Sequence, residues 1–235
     1  MTRIVIFLTL VLAFTATAST TRYVAPDGAH VSPFTSWNNA ATTIQAAVDV
    51  AIADDDVRVT NGVYNLGGRM TPGGFSYNRV RAIRPILIHS VNGPTQTYII
   101  GNSSPHVRCA FLSNGAMLVG FTLEYGHSGT NDTPRRDQWG GGAFLTDTAL
   151  LSNCVVRACL GTSYGGGVVC YEGGIVRSCW IHDNEANANA GGALCYEGGR
   201  VEGCIIYNNT AGVYTGGIQC DGPGVISDCI ISNNT

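Results

Sequence analysis

Lysine is absent from this chain of 235 residues, so all 13 of its basic side chains are arginine. Charged residues make up only 12% and the formal net charge is −3. That balance leaves no basic patch of the kind nucleic acid requires. There is no phosphate loop, no Cys-x-x-Cys zinc spacing and no Ser-His-Asp order in the chain. The 31 glycines, nearly double the usual share, follow no collagen period. An apolar content of 45% excludes disorder. Long apolar runs are scarce as well. One stretch, Ile4 to Phe14, is strongly apolar, and it is too short for a comfortable membrane span.

That stretch reads as part of a secretory leader. Arg3 supplies a positive start, Ile4 to Phe14 the apolar region, and Ala16-Thr17-Ala18 an A-x-A cleavage site, so residues 1–18 are expected to be a signal peptide. No second long apolar run follows, and none is expected to span a membrane in the mature chain.

What the chain does have is a ruler. Gly-Gly pairs fall at Gly141-Gly142, Gly166-Gly167, Gly191-Gly192 and Gly216-Gly217, a constant step of 25 residues. Cys154, Cys179, Cys204 and Cys229 keep the same step, as do Cys170, Cys195 and Cys220. Asn184, Asn209 and Asn234 form a third column, and Val156, Ile181, Ile206 and Ile231 a fourth. Columns held in register over such a period mean a solenoid, propeller or array. Each later coil holds three short extended pieces, as in Ala193 to Tyr196, Gly199 to Val201 and Cys204 to Tyr207. Period-two alternation turns Ala193 and Cys195 inward and Leu194 and Tyr196 outward. Earlier coils are degenerate copies, and Phe121 matches Cys154 at a distance of 33, the extra residues sitting in a polar loop from His127 to Trp139. Insertions in a solenoid collect on one face, often the binding face.

Nine cysteines in an exported chain suggest disulfides, but the columns argue otherwise. Column neighbours on parallel strands stand about 4.8 Å apart with side-by-side Cβ vectors, whereas a disulfide needs Cβ atoms at about 3.8 Å and a large torsion. Reduced thiols filling the interior as small hydrophobes are expected, with Cys109 and Cys159 outside the two columns.

Ahead of the repeat, Thr21 to Gly28 reads as a strand and turn. Ile44, Ala47, Val48 and Ala51 read as a short amphipathic helix, with Thr42 and Gln45 at capping-box spacing. Such a helix would cover the open end of a strand stack. Asp54-Asp55-Asp56 reads as a solvated turn before the next strand. The expected division is residues 19–56 as N-terminal strand and capping helix, then 57–235 as the strand stack, regular from 140.

The pattern Val176-x-x-Cys179-x-Ile181-x-x-Asn184 also fits a leucine-rich repeat, but the rest of the coil is Gly-rich and strand-like rather than helical. The expected fold is therefore all-β, a three-sided right-handed parallel β-helix solenoid with coils of about 25 residues and an N-terminal capping helix.

At this point the chain resembles the pectin-lyase-like right-handed β-helix proteins. Tyr23-Val24-Ala25-Pro26-Asp27-Gly28, Thr43-Ile44-Gln45-Ala46-Ala47-Val48-Asp49 and Val57-x-Val59-x-Asn61-Gly62-x-Tyr64 look like the start of many exported bacterial members. Asn208-Asn209-Thr210-Ala211 followed by Gly216-Gly217-Ile218 is similar to the repeats of chlamydial polymorphic outer-membrane proteins. The resemblance implies a secreted or outer-membrane, cell-surface location in a bacterium. It leaves two functions open: a non-catalytic face for adhesion or glycan binding, or a lyase or glycoside hydrolase acting on an anionic polysaccharide. The lyases of that group use calcium and a basic proton abstractor, and its hydrolases use Asp pairs. No motif here carries either set over, so catalytic residues stay unassigned and the non-catalytic reading is preferred.

Candidate binding residues come from the period. Asp147, Glu172 and Glu197 share a column. Carboxylates at about 4.8 Å either bind a cation, raise their own pKa or fan out into water, and Ca²⁺ is the cation such oxygens suit. Tyr171 and Tyr196, beside them, offer a sugar-stacking face, and Arg135 and Arg136 in the inserted loop offer contacts to an acidic glycan. Thr235 stands where Thr210 stands one coil earlier, so further coils, an anchor domain or a partner are expected beyond it. Thiol titration of the unfolded chain is expected to find most of the nine cysteines free; finding none free would restore the disulfide framework.

Overall fold

A computed structural model describes residues 18–130 and 135–235, which leaves all but the last residue of the expected leader outside it. Among the described residues the chain is almost entirely strand, in sheets of eight, seven, eight and three strands. The first sheet runs from Thr21–Val24 to Val225–Ser227, the second from Gly62–Tyr64 to Ile230–Ser232, and the third from Arg69–Met70 through Tyr77–Ala82 to Ile218–Asp221. Pairing between successive coils is parallel. Cys170 faces Cys195 and Cys195 faces Cys220, while Val156 faces Ile181 and Ile181 faces Ile206. The step of 33 appears where expected, pairing Ala110 with Ala143 and Thr122 with Val155. These parallel sheets fit a β-helix.

Each later coil has four extended pieces rather than three. The fourth is the two-residue strand at Leu160–Gly161, Glu185–Ala186 and Thr210–Ala211. No helix occupies the stretch after Asn184, which removes the leucine-rich-repeat alternative. The Gly-Gly pairs follow this fourth strand for a steric reason: a Cβ at Gly166 would lie 2.1 Å from the Glu185 carbonyl oxygen.

The interior is a stack of fully buried Val, Leu, Ile, Ala and Cys side chains from all three large sheets. All nine cysteines are free thiols. The Cys154 column does more than fill space. The Sγ atoms of Cys179, Cys204 and Cys229 each accept the backbone N–H of the cysteine one coil earlier at 3.4 Å. The asparagine column works the same way at another corner. Asn184 Oδ1 accepts Cys159 N–H at 3.1 Å, Asn209 Oδ1 accepts Asn184 N–H at 3.0 Å, and Asn184 Nδ2 donates back to the Val156 carbonyl at 2.9 Å. Cys159, outside the two cysteine columns as expected, is the first rung of the asparagine column, where its sulfur accepts Gly126 N–H at 3.4 Å.

The helix Ile44–Val50 packs its Ile44, Ala47 and Val48 into the same core as Val24, Val57 and Val80. Its N-cap is Thr43, whose hydroxyl accepts Ala46 N–H at 3.3 Å, rather than Thr42. The expected capping box does not form, because Gln45 is buried and its Oε1 accepts Arg81 N–H at 2.6 Å instead. The three aspartates are not one solvated turn either. Asp55 is fully buried and pairs with Arg22 at 2.9 Å. Burial pushes its carboxyl up, but the N–H groups of Ile52 and Thr20 and the Arg22 guanidinium outweigh that and hold it below the usual carboxylate range.

The ladder predicts an ordering. Asn184→Ala strips partners from buried backbone groups on both sides of a corner and is expected to lower stability by about 3 kcal/mol. Asn184→Cys, which copies the Cys159 rung, should lose roughly half as much. Urea unfolding midpoints compare the two, and equal losses would remove the view that thiol and amide are interchangeable rungs.

Candidate functional site

The outer face of the third sheet should be polar by alternation, yet Phe111, Phe144, Val169 and Leu194 on it are all buried. Two inserted segments cover them. One is the antiparallel hairpin of Arg69–Met70 with Tyr77–Asn78. The polar loop ends in a short 3₁₀ turn, Arg135–Gln138, followed by Trp139. The two segments join where Asp137 accepts Phe75 N–H at 2.5 Å and the Asp137 carbonyl accepts the Ser76 hydroxyl at 2.8 Å.

Arg108 holds this cover from beneath. Its side chain is fully buried and donates to the carbonyls of Trp139 and Gly140 at 2.7 Å each and to Asn78 Oδ1 at 2.8 Å. Burial lowers its pKa to about 10, with Asp137 opposing, so it stays charged at neutral pH. One guanidinium therefore ties the hairpin, the loop and the sheet together through the planar fork of donors that arginine provides.

Above this anchor lies an aromatic trough. Trp139 pairs with Tyr164 and Tyr164 with Asn189 in parallel bridges along one wall. Tyr171, Tyr196 and Asp221 are in register along the other. The Tyr171 and Tyr196 rings are stacked, with centroids 5.7 Å apart and planes 15° from parallel. Trp139 stands between the walls, its ring 5.9 Å from both Tyr164 and Tyr196 and edge-on to each. It separates two hollows. One of about 190 Å³ is lined by Arg136, Tyr171, Phe144 and the tip of the hairpin; the other, about 200 Å³, by Tyr164, Asn189, Leu194, Tyr196, Gln219 and Asp221.

The expected site residues fall unevenly around this trough. Tyr171 and Tyr196 form its wall. Arg136 lies over Tyr171, its guanidinium carbon 4.1 Å from the ring centroid, and donates to the Tyr171 hydroxyl. The Arg135 side chain lies outside the described residues. Asp147, Glu172 and Glu197 all sit at left-handed corners, with φ of 50°, 43° and 48°, and point into solvent. They do not form one cluster: Asp147 stands apart, while Glu172 and Glu197 both reach the Tyr171 hydroxyl. Asp147 accepts the Ser113 hydroxyl at 3.0 Å, Glu172 accepts the Tyr171 hydroxyl at 2.5 Å, and Glu197 engages Tyr171 and Tyr196. Among the described residues no group of three or more His, Cys, Asp or Glu could hold a metal ion. Burial, reinforced by the two glutamates, raises the Tyr171 hydroxyl well above its ordinary pKa against the pull of Arg136, so it is a proton donor at neutral pH and not a base.

Sequence reasoning missed Trp139, Tyr164, Asn189 and Gln219. The first three follow the step of 25 with Tyr214 beyond them, so the signal was present in the ruler. Arg108 had no such signal. Arg108→Met is expected to lower stability by about 3 kcal/mol and to expose residues 65–79 and 127–139 to limited proteolysis while the sheets stay intact. Unchanged cleavage would show that the cover is held by other contacts.

No family model matches this chain, and no curated protein matches it. Among the described residues no helix is long and apolar enough to cross a membrane. The chain is similar to a solved structure described as rhamnogalacturonan lyase, at 13% identity and a TM-score of 0.44 over 90% of its length. It spans 62% of that protein.

Proposed function

We propose that this chain is a right-handed parallel β-helix solenoid, secreted or displayed at a bacterial cell surface, that binds glycan on the outer face of its third sheet without transforming it. The leader-like start at residues 1–18 supports export. The observation that carries the binding reading is the trough itself: Trp139, Tyr164 and Tyr196 turn their rings toward one another on a face that alternation would have left polar. Aromatic faces suit the apolar faces of sugars, while amide and carboxylate groups between them suit hydroxyls. Trp and Tyr also lose little conformational entropy when they make such contacts.

The chemistry of the walls favours binding over turnover. Asp147 and Glu172 each already accept from a neighbouring hydroxyl, and Glu197 engages Tyr171 and Tyr196. The arginine nearest the trough is stacked on Tyr171. Among the described residues each of the two hollows carries a single carboxylate in its lining, Asp137 in one and Asp221 in the other, whereas hydrolysis of a glycosidic bond uses a pair.

The test is a panel of neutral and anionic glycans against the whole secreted protein, read by calorimetry and by ultraviolet absorbance for unsaturated products. Binding without product is expected. No binding to any glycan would end the proposal, and unsaturated product from an anionic polysaccharide would replace it with a lyase.

A further inference from the structure

The hollow beyond Trp139 has two loose ends in its wall. The indole Nε1 of Trp139 and the side-chain Oε1 of Gln219 are both buried and have no protein hydrogen-bond partner. Buried indole N–H groups almost always find an acceptor, and each exception calls for an explanation. The Gln219 amide is not free to turn. Its Nε2 donates to Asp221 Oδ2 at 2.7 Å, and since an ionised carboxylate only accepts, Oε1 is left as the acceptor. One unmet donor and one unmet acceptor therefore flank a hollow of about 200 Å³ that also carries Tyr164 and Tyr196.

That volume is below the range of pockets built for larger ligands, which begins at about 300 Å³. It suits one sugar ring. Trp139 stands edge-on between Tyr164 and Tyr196, so the ring would enter as a chain end or a branch rather than as a residue threaded through. The charge around it is negative. Asp221 lies in the wall, and Glu197 engages the Tyr196 hydroxyl. Arg136, the nearby cation, lines the other hollow rather than this one and is engaged with Tyr171.

Resting on the glycan-binding reading, we infer that this hollow is a subsite for a single neutral pyranose at the end of a glycan, with one ring hydroxyl accepting from Trp139 Nε1–H and another donating to Gln219 Oε1. A hexuronate is disfavoured there because its carboxylate would meet Asp221. The subsite matches both unmet groups with the two roles a sugar hydroxyl plays, and it places the ring between aromatic side chains.

The experiment titrates the whole protein with methyl glycosides of neutral hexoses and of hexuronic acids, beside the glycan panel. Trp139→Phe keeps the ring and removes the N–H; Gln219→Met keeps the volume and removes the acceptor. The expected result is binding of at least one neutral glycoside in preference to its uronate, weakened roughly threefold to tenfold by either variant at unchanged thermal midpoint. If longer glycans bind but neither variant alters their affinity, or if the uronates bind better, the subsite is wrong and glycan binding stands. If nothing binds, both fall together. A variant that unfolds is read instead through Gln219→Glu, which keeps an acceptor but adds charge and should strengthen the neutral-over-uronate preference; a preference that stays put or reverses would overturn the subsite.

Discussion

A chain that turns several times in every 25 residues has a backbone problem before it has any other. Strand groups and many corner groups pair through the backbone with neighbouring coils, but the N–H groups of Cys154, Cys179 and Cys204 and of Cys159 and Asn184 reach a side chain of the next coil instead, and a corner buried against a neighbouring coil has no water to fall back on. At two corners of the later coils one side chain answers for its neighbour. Asn209 serves Asn184, Asn184 serves Cys159, and in the other column each cysteine sulfur serves the cysteine before it. The packed interior depends on this arrangement, because Val156, Ile181 and Ile206 can stack only if the turns around them repeat without drift.

The same regularity sets the terms for the site. A sheet face built from repeats is uniform, and a uniform face holds little that is specific. Specificity comes from the two insertions that break the repeat, and they need an anchor the repeat does not supply. Arg108 is that anchor. It is the largest fully buried side chain of the described residues, and it spends its donors on carbonyls of the inserted loop and an amide of the hairpin. The regular stack thus provides the walls of the trough, and one irregular buried charge provides its partition.

This division explains what could be read from the sequence. Periodic features were legible: the parallel register, the inward cysteines, the facing of Leu194 and Tyr196, and the insertion between His127 and Trp139. The burial of Leu194 was not, because it depends on where a loop of that insertion lands. The carboxylate column was correctly placed in register, but a column does not say where side chains point, and positive φ at Asp147, Glu172 and Glu197 turns them outward. Asp55 shows the same limit at short range. Three adjacent aspartates look alike in a sequence, and only the long-range partners Arg22 and Thr20 make the middle one a buried anchor. The role of Cys159 was hidden for a different reason: a cysteine at the head of an asparagine column breaks the pattern in residue type while preserving it in function.

The ladders also determine how such a chain can change in length. Because each rung accepts from the rung before it, deleting one residue within the regular part of a coil would unmatch the rungs across that step, whereas residues looped out between rungs, as in the step of 33, leave Phe121 N–H on Cys154 Sγ and Gly126 N–H on Cys159 Sγ. Removing or copying a whole coil would leave every rung matched. The natural unit of variation is therefore the coil and not the residue. The wall carrying Tyr196 and Asp221 would lengthen or shorten with the stack, while the partition at Trp139 kept its place, so the reach of the trough could be retuned by duplication without redesigning the end that stops it.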